Sequence, residues 1–151
     1  IAWHGRRNIS MTVILLDVDF FKPYNDNYGH IQGDKCLQGL ANTLKVLFVR
    51  AGEYVGRYGG EEFVLILSDT DSDAAEQQAI RIKEALYDMN YAHKYSSISD
   101  RVTESQGVLS FVPSGEESLA SIYEKVDQAL YQAKQSGRNT YILRNILEHS
   151  R

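Results

Sequence analysis

The sequence predicts an α+β fold, with helices packed on a mostly antiparallel central sheet. Three observations carry that expectation. Strand-like and helix-like stretches follow one another as strand, helix, hairpin, helix, strand, helix, strand. A Gly-Gly pair, Gly59-Gly60, separates two short apolar runs, as a hairpin requires. The first apolar run, Met11 to Phe20, is continuous rather than alternating, as in a strand buried on both faces. At 151 residues the chain fits one domain, placed at 1–144, with a frayed or tag-like tail over 145–151.

The elements follow in order. Met11–Phe20 reads as a strand ending in acid, and Asp17 and Asp19, two apart, are expected to share a face. Lys22–Gly33 is turn-rich, with Pro23, Asn25, Asp26, Asn27 and Gly29. Cys36–Val49 carries Leu37, Leu40, Ala41, Leu44 and Leu47 at helical spacing. Tyr54–Tyr58 and Phe63–Leu67 are the hairpin strands. Ser72–Met89 is a second helix, with Asp73 and Glu76 resembling a capping box. Val102–Val112 reads as a strand. Leu119–Lys134 is a third helix, with Leu119, Ile122, Val126, Ala129, Leu130 and Ala133 facing inward and Gly137 as its stop. Thr140–Leu143 is a short last strand, and Tyr91–Arg101 gives no readable pattern.

Composition narrows the function. A formal net charge of −4 argues against a non-specific binder of nucleic acid or anionic membrane. No run of about 18 apolar residues is present to span a membrane, and no signal peptide opens the chain. Cys36 is the single cysteine, so no intrachain disulfide forms and a cytoplasmic setting is expected. Its expected role is that of a small buried hydrophobe. His4, His30, His93 and His149 lack metal-ligand spacing. A first residue of Ile1 rather than Met suggests a piece of a longer protein, whose other parts are free to include a membrane anchor.

Four polar clusters suggest chemistry. Asp17 and Asp19 end the first strand, and Glu61 and Glu62 follow the hairpin turn. If these strands are neighbours, Asp17 and Glu61 can converge on one divalent ion, and Mg²⁺ suits a site of few carboxylates completed by substrate phosphates. Asn25 and Asp34 have the groups to read a purine edge, although each also suits a turn or helix start. Lys134 and Arg138 flank a helix end, where they either complement the helix dipole or clamp a polyphosphate.

Taken together, D-V-D-F-F-K-P-Y-N-D-N-Y-G-H-I-Q-G-D (Asp17 to Asp34), R-Y-G-G-E-E-F (Arg57 to Phe63) and Y-Q-A-K-Q-S-G-R-N (Tyr131 to Asn139) closely resemble the GGDEF family of diguanylate cyclases, in its GGEEF variant. The resemblance runs from about Met11 to Leu143. It implies a fold like the palm of nucleotide polymerases and nucleotidyl cyclases. It also implies condensation of two GTP into cyclic di-GMP and two pyrophosphates, with Mg²⁺ or Mn²⁺, between two domains of a homodimer. By the same resemblance Asp17, the Val18 carbonyl, Glu61 and Glu62 hold metal, and Glu61 and Glu62 serve catalysis. Asn25 and Asp34 read guanine. Lys22, Lys134, Arg138 and the backbone at Phe20 and Phe21 bind phosphates. An upstream sensor domain is implied in the parent protein.

Three departures stand out. The family's inhibitory product site, R-x-x-D, appears as Arg50-Ala51-Gly52-Glu53, with Arg81 as a second candidate arginine. Both arginines equally suit a solvated helix face. Glu104 and Gln106 stand where the family usually has apolar residues, so that strand face is expected to be partly open or hydrogen-bonded. The family's D-x-L-T-G-L-x-N-R-R segment has no match at His4-Gly5-Arg6-Arg7-Asn8. Beside the cyclase stands a second reading, a catalytically silent regulatory domain that binds GTP or cyclic di-GMP. A cyclase for another nucleotide is disfavoured by Asn25 and Asp34.

Overall fold

The computed structural model describes residues 9–145; the His4–Asn8 mismatch, His149 and the tail beyond Asn145 lie outside them. The described chain runs β1 (Met11–Val18), α1 (Phe21–Tyr28), α2 (His30–Leu47), β2 (Glu53–Arg57), β3 (Glu62–Ser68), α3 (Ser72–Asp88), β4 (Glu104–Phe111), α4 (Leu119–Gln135) and β5 (Tyr141–Asn145). The five strands form one sheet in the order β2-β3-β1-β4-β5. Every pairing is antiparallel except β4 with β5.

β1 lies at the centre, which is why its sequence is apolar on both faces. Ile14, Leu16 and Val18 point to one side and pack with Phe63, Leu65 and Leu67 of β3 against the stripes of α2 and α3. Leu15 points to the other side and joins Leu109, Phe111, Val126 and Leu130 beneath α4. Gly107 of β4 lets α4 settle on the sheet. A Cβ there would stand 2.3 Å from the Val126 carbonyl oxygen and 2.4 Å from the Leu130 nitrogen, both main-chain atoms.

Several expectations need correction. The turn-rich stretch after β1 holds a helix, α1, and α2 starts at His30 rather than Cys36. Phe21 and Tyr24 of α1 are buried and stacked, and Asn27 donates from its amide to the Pro23 carbonyl. Pro23 sits in the first helical turn, where no backbone N–H is needed. Gly29, at φ 90°, separates the two helices. The cap of α3 is Asp71, which accepts from the Ala74 N–H, and not Asp73. Leu119 is exposed at the start of α4 instead of facing inward. Strand β2 sits one residue earlier than expected and β3 is one residue longer at each end, so Glu62 belongs to β3.

The face holding Glu104 and Gln106 is closed rather than partly open. All eight residues of β4 are buried. Gln106 donates to the Ala79 carbonyl of α3 at 2.9 Å, whereas both Glu104 carboxylate oxygens are buried without a hydrogen-bond partner. Burial, reinforced by the nearby Asp19 charge, pushes the Glu104 carboxyl up to about 8.

Candidate active site

The site forms where β1, β3 and the turn after α4 meet. Antiparallel register sets Asp17 of β1 directly opposite Glu62 of β3. The Val18 N–H donates to the Glu61 carbonyl at 3.3 Å, which fixes the end of the hairpin against β1. Gly59, at φ 75°, turns the hairpin, and Arg57 donates from Nε to the Gly60 carbonyl at 2.9 Å. Three carboxylates are thereby gathered, an arrangement that costs energy unless cations attend it. One does: the Lys134 ammonium from α4 pairs with Asp17 Oδ2. The other oxygen, Asp17 Oδ1, is buried without a hydrogen-bond partner.

Burial is the main cause that raises the carboxyls of Asp17, Glu61 and Glu62 above their ordinary range. Lys134 opposes the shift in all three, and for both glutamates the Asp17 charge adds to it. Among the described residues, no three His, Cys, Asp or Glu side chains stand as a ready-made metal cluster. The expected set of Asp17, Glu61 and Glu62 is therefore gathered around Lys134 rather than closed on one point.

A cleft of about 480 Å³ extends from Glu61 toward α1 and α2. Its walls include Phe21, Lys22, Asn25, Asp34, Arg57 and Gly60. The two expected guanine readers thus share one cleft with Glu61 and Lys22. Asn25 packs on Gly33 so closely that a Cβ there would stand 1.7 Å from Asn25 Oδ1. That oxygen is buried and has no hydrogen-bond partner. Lys22 reaches back to Asp26 at 3.0 Å, an exposed pair.

Of the phosphate candidates, Phe21 and Lys22 line the cleft, Lys134 stands beside Asp17, and Arg138 lies over Phe20 at the end of β1. Phe20 is left-handed at φ 54° and starts α1, so the first N–H groups of that helix lie at Phe21 and Lys22. The Arg138 guanidinium lies 4.6 Å from the centre of the Phe20 ring. Asp17 and Asp19 both turn toward the end of α4, where each meets a different cation. Asp17 meets Lys134, and Asp19, just past the strand, meets Arg138 at 3.7 Å.

Sequence reasoning missed His93, which is fully buried and hydrogen-bonds through Nε2 to the Phe20 carbonyl at 2.9 Å. It lies in the stretch without readable pattern, and no spacing rule links it to Phe20. The candidate product site is apart from this cleft. Arg50 pairs with Glu53 at 3.3 Å, and Arg81 of α3 donates to the Leu47 carbonyl at the end of α2.

Comparison with known proteins identifies the family. The family described as "Diguanylate cyclase, GGDEF domain" matches residues 1–140. Diguanylate cyclase A of Treponema denticola is 38% identical over 139 residues, which is 92% of this chain and 36% of that protein. Diguanylate cyclase DgcM of Escherichia coli K12 is 42% identical over 128 residues, 85% of this chain and 29% of that protein. The active GGEEF domain of a diguanylate cyclase from Vibrio cholerae superposes with a TM-score of 0.76 at 32% identity, covering 94% of this chain and 87% of that one. The GGDEF domain of DgcB from Caulobacter crescentus, solved with c-di-GMP, gives 0.79 at 27% identity, with 94% and 82% covered. The fold is that of a cyclase-like α+β domain. This chain belongs to the GGDEF domain family of diguanylate cyclases, and it spans less than half the length of the curated relatives it matches.

Proposed function

We propose that this domain is one half-site of a diguanylate cyclase. It holds one GTP and, facing a second copy, joins the two nucleotides into cyclic di-GMP with release of two pyrophosphates. The observation that supports this reading best is the shared cleft, in which Glu61 of the carboxylate cluster and the candidate guanine readers Asn25 and Asp34 line one wall system. In this reading the Asn25 amide and the Asp34 carboxylate recognise guanine. The unpartnered Asn25 Oδ1 is then free to accept from a ligand. Lys22, Lys134, Arg138 and the main chain at Phe20 and Phe21 hold the triphosphate, where phosphoryl transfer needs mainly positioning and charge neutralisation.

The residues fit a divalent ion, Mg²⁺ or Mn²⁺, held by Asp17, Glu61, Glu62 and the Val18 carbonyl. The unpartnered Asp17 Oδ1 is the observation that favours it. Such an ion would supply charge neutralisation at the phosphates and would acidify the attacking 3′-hydroxyl. In this reading Glu61, its carboxyl raised by burial, takes that hydroxyl proton. Arg50, Glu53 and Arg81 remain the proposed inhibitory product site. The setting proposed for the domain is cytoplasmic, in a parent protein with an upstream sensor.

The test is incubation with GTP and Mg²⁺, wild type beside Glu61→Ala, with chromatography of the products. Cyclic di-GMP from the wild type and none from Glu61→Ala is the expected result. GTP bound but never turned over would transfer the weight to a silent regulatory domain.

A further inference from the structure

We propose that Asp19 is a positioning residue for the phosphate end of the site, anchoring the turn after α4 so that Arg138 is held ready over Phe20. The inference rests on the reading of Arg138 as a phosphate contact. Asp19 is 1% exposed, and its carboxylate is saturated with donors. Oδ1 accepts from the Ser105 hydroxyl at 2.6 Å, and Oδ2 accepts from the Thr103 hydroxyl at 2.7 Å. Oδ2 also accepts from the Asn139 main-chain N–H at 2.9 Å. The Arg138 guanidinium completes the set at 3.7 Å from Oδ1. The main chain joins in, with the Asp19 N–H donating to the Thr103 carbonyl at 2.9 Å. One side chain thus ties the end of β1, the start of β4 and the α4–β5 turn together.

That turn needs tying. Helix α4 closes with the Arg138 N–H on the Ala133 carbonyl and the Gly137 N–H on the Lys134 carbonyl, around Gly137 at φ 110°. The next two residues, Arg138 and Asn139, are also left-handed, at φ 63° and 50°, a region that side-chain-bearing residues occupy only when their surroundings hold them. Asp19 grips both, one by its side chain and one by its N–H. The guanidinium is then bounded by the Asp19 carboxylate on one side and the Phe20 ring on the other. A third of the Arg138 side chain stays exposed, at 32%, and its remaining donors are available to a ligand. A long side chain held this way loses less freedom when it binds.

The two acids of the D-x-D pair therefore divide their work. Asp17 keeps an unpartnered oxygen for a ligand, whereas Asp19 spends both oxygens on the scaffold.

A double-mutant cycle tests the assignment, using Asp19→Asn, Arg138→Ala and the pair. Affinity is measured for a non-hydrolysable GTP analogue with Mg²⁺, and KM and kcat are measured for GTP. Each single change is expected to weaken binding about tenfold, as loss of a charge-assisted hydrogen bond does. The double variant is expected to be no weaker than Arg138→Ala alone, with the loss falling on KM. Multiplication of the two effects to about a hundredfold would overturn the proposal. In Asp19→Asn the Asn139 amide is expected to exchange with solvent faster than in the wild type, and unchanged protection would refute the anchor itself. Unchanged binding in Arg138→Ala, with faster Asn139 exchange in Asp19→Asn, would remove the phosphate reading and the positioning role with it. Thr103→Val, which keeps the carboxylate and removes one restraint, gives a milder arm should Asp19→Asn fold poorly. It is expected to weaken binding in the same direction, and no shift there would count against the proposal.

Discussion

Glu104 is 1% exposed, its carboxylate oxygens are buried, and the Asp19 charge lies nearby, with the Gln106 side chain and the Lys83 cation opposing the rise. Its carboxyl is pushed up to about 8, whereas in the unfolded chain it titrates in the ordinary range. Between those two pH values the unfolded state binds fewer protons, so this group makes stability fall as pH rises. Glu104→Gln removes the titration. In urea unfolding at pH 5 and pH 8, the variant should gain on the wild type by about 1 kcal/mol or more at the higher pH. An equal difference at both pH values would show that the group does not titrate in this window. Gly33 supports a second prediction at this scale. Gly33→Ala places a methyl group on Asn25 Oδ1 and should weaken binding of a GTP analogue about tenfold, with the fold retained. Calorimetric titration checks it, and unchanged affinity would mean that Asn25 does not read the base. The site carboxylates and cations were legible because the motifs fix their order and spacing. His93 and the donors to Asp19 were not, because hydrogen bonds across 73 to 120 residues leave no local pattern.

At the scale of elements, α4 carries both Lys134 and, just beyond its end, Arg138, so its seat on the sheet governs the site. Gly107 sets that seat. Gly107→Ala would drive a methyl group into the α4 main chain and should destabilise the fold by about 1–3 kcal/mol, with nucleotide affinity falling in parallel. Chemical denaturation and analogue binding measured on the same variant would check both parts. Loss of stability without loss of affinity would separate α4 packing from the phosphate contacts. The long apolar stripes of α2, α3 and α4 and the unbroken run of β1 were readable, since packing on both sheet faces demands them. Helix α1 was not. Its local composition favours turns, and it is buried Phe21 and Tyr24, a tertiary effect, that accompany the helical course. The register that puts Glu62 rather than Glu61 opposite Asp17 was equally hidden, because a one-residue shift of a strand leaves no trace in composition.

For the whole molecule, the central claim is that one copy carries half a reaction. One cleft of about 480 Å³ joins Glu61 to a single pair of candidate base readers, Asn25 and Asp34. In the proposed reading, joining two nucleotides requires a second domain to bring the second GTP. The mostly antiparallel pairing was anticipated, whereas the strand order that puts β1 beside the hairpin, and so Asp17 beside Glu62, stood in the sequence only as a condition. How two copies face one another is a property of surfaces, on which single-residue patterns are silent. The most direct measurement is the rate of cyclic di-GMP formation from GTP and Mg²⁺ as a function of protein concentration. The account predicts a rate per molecule that rises with concentration until pairing is complete. A rate per molecule that stays constant down to high dilution, or GTP bound with no product at any concentration, would contradict it.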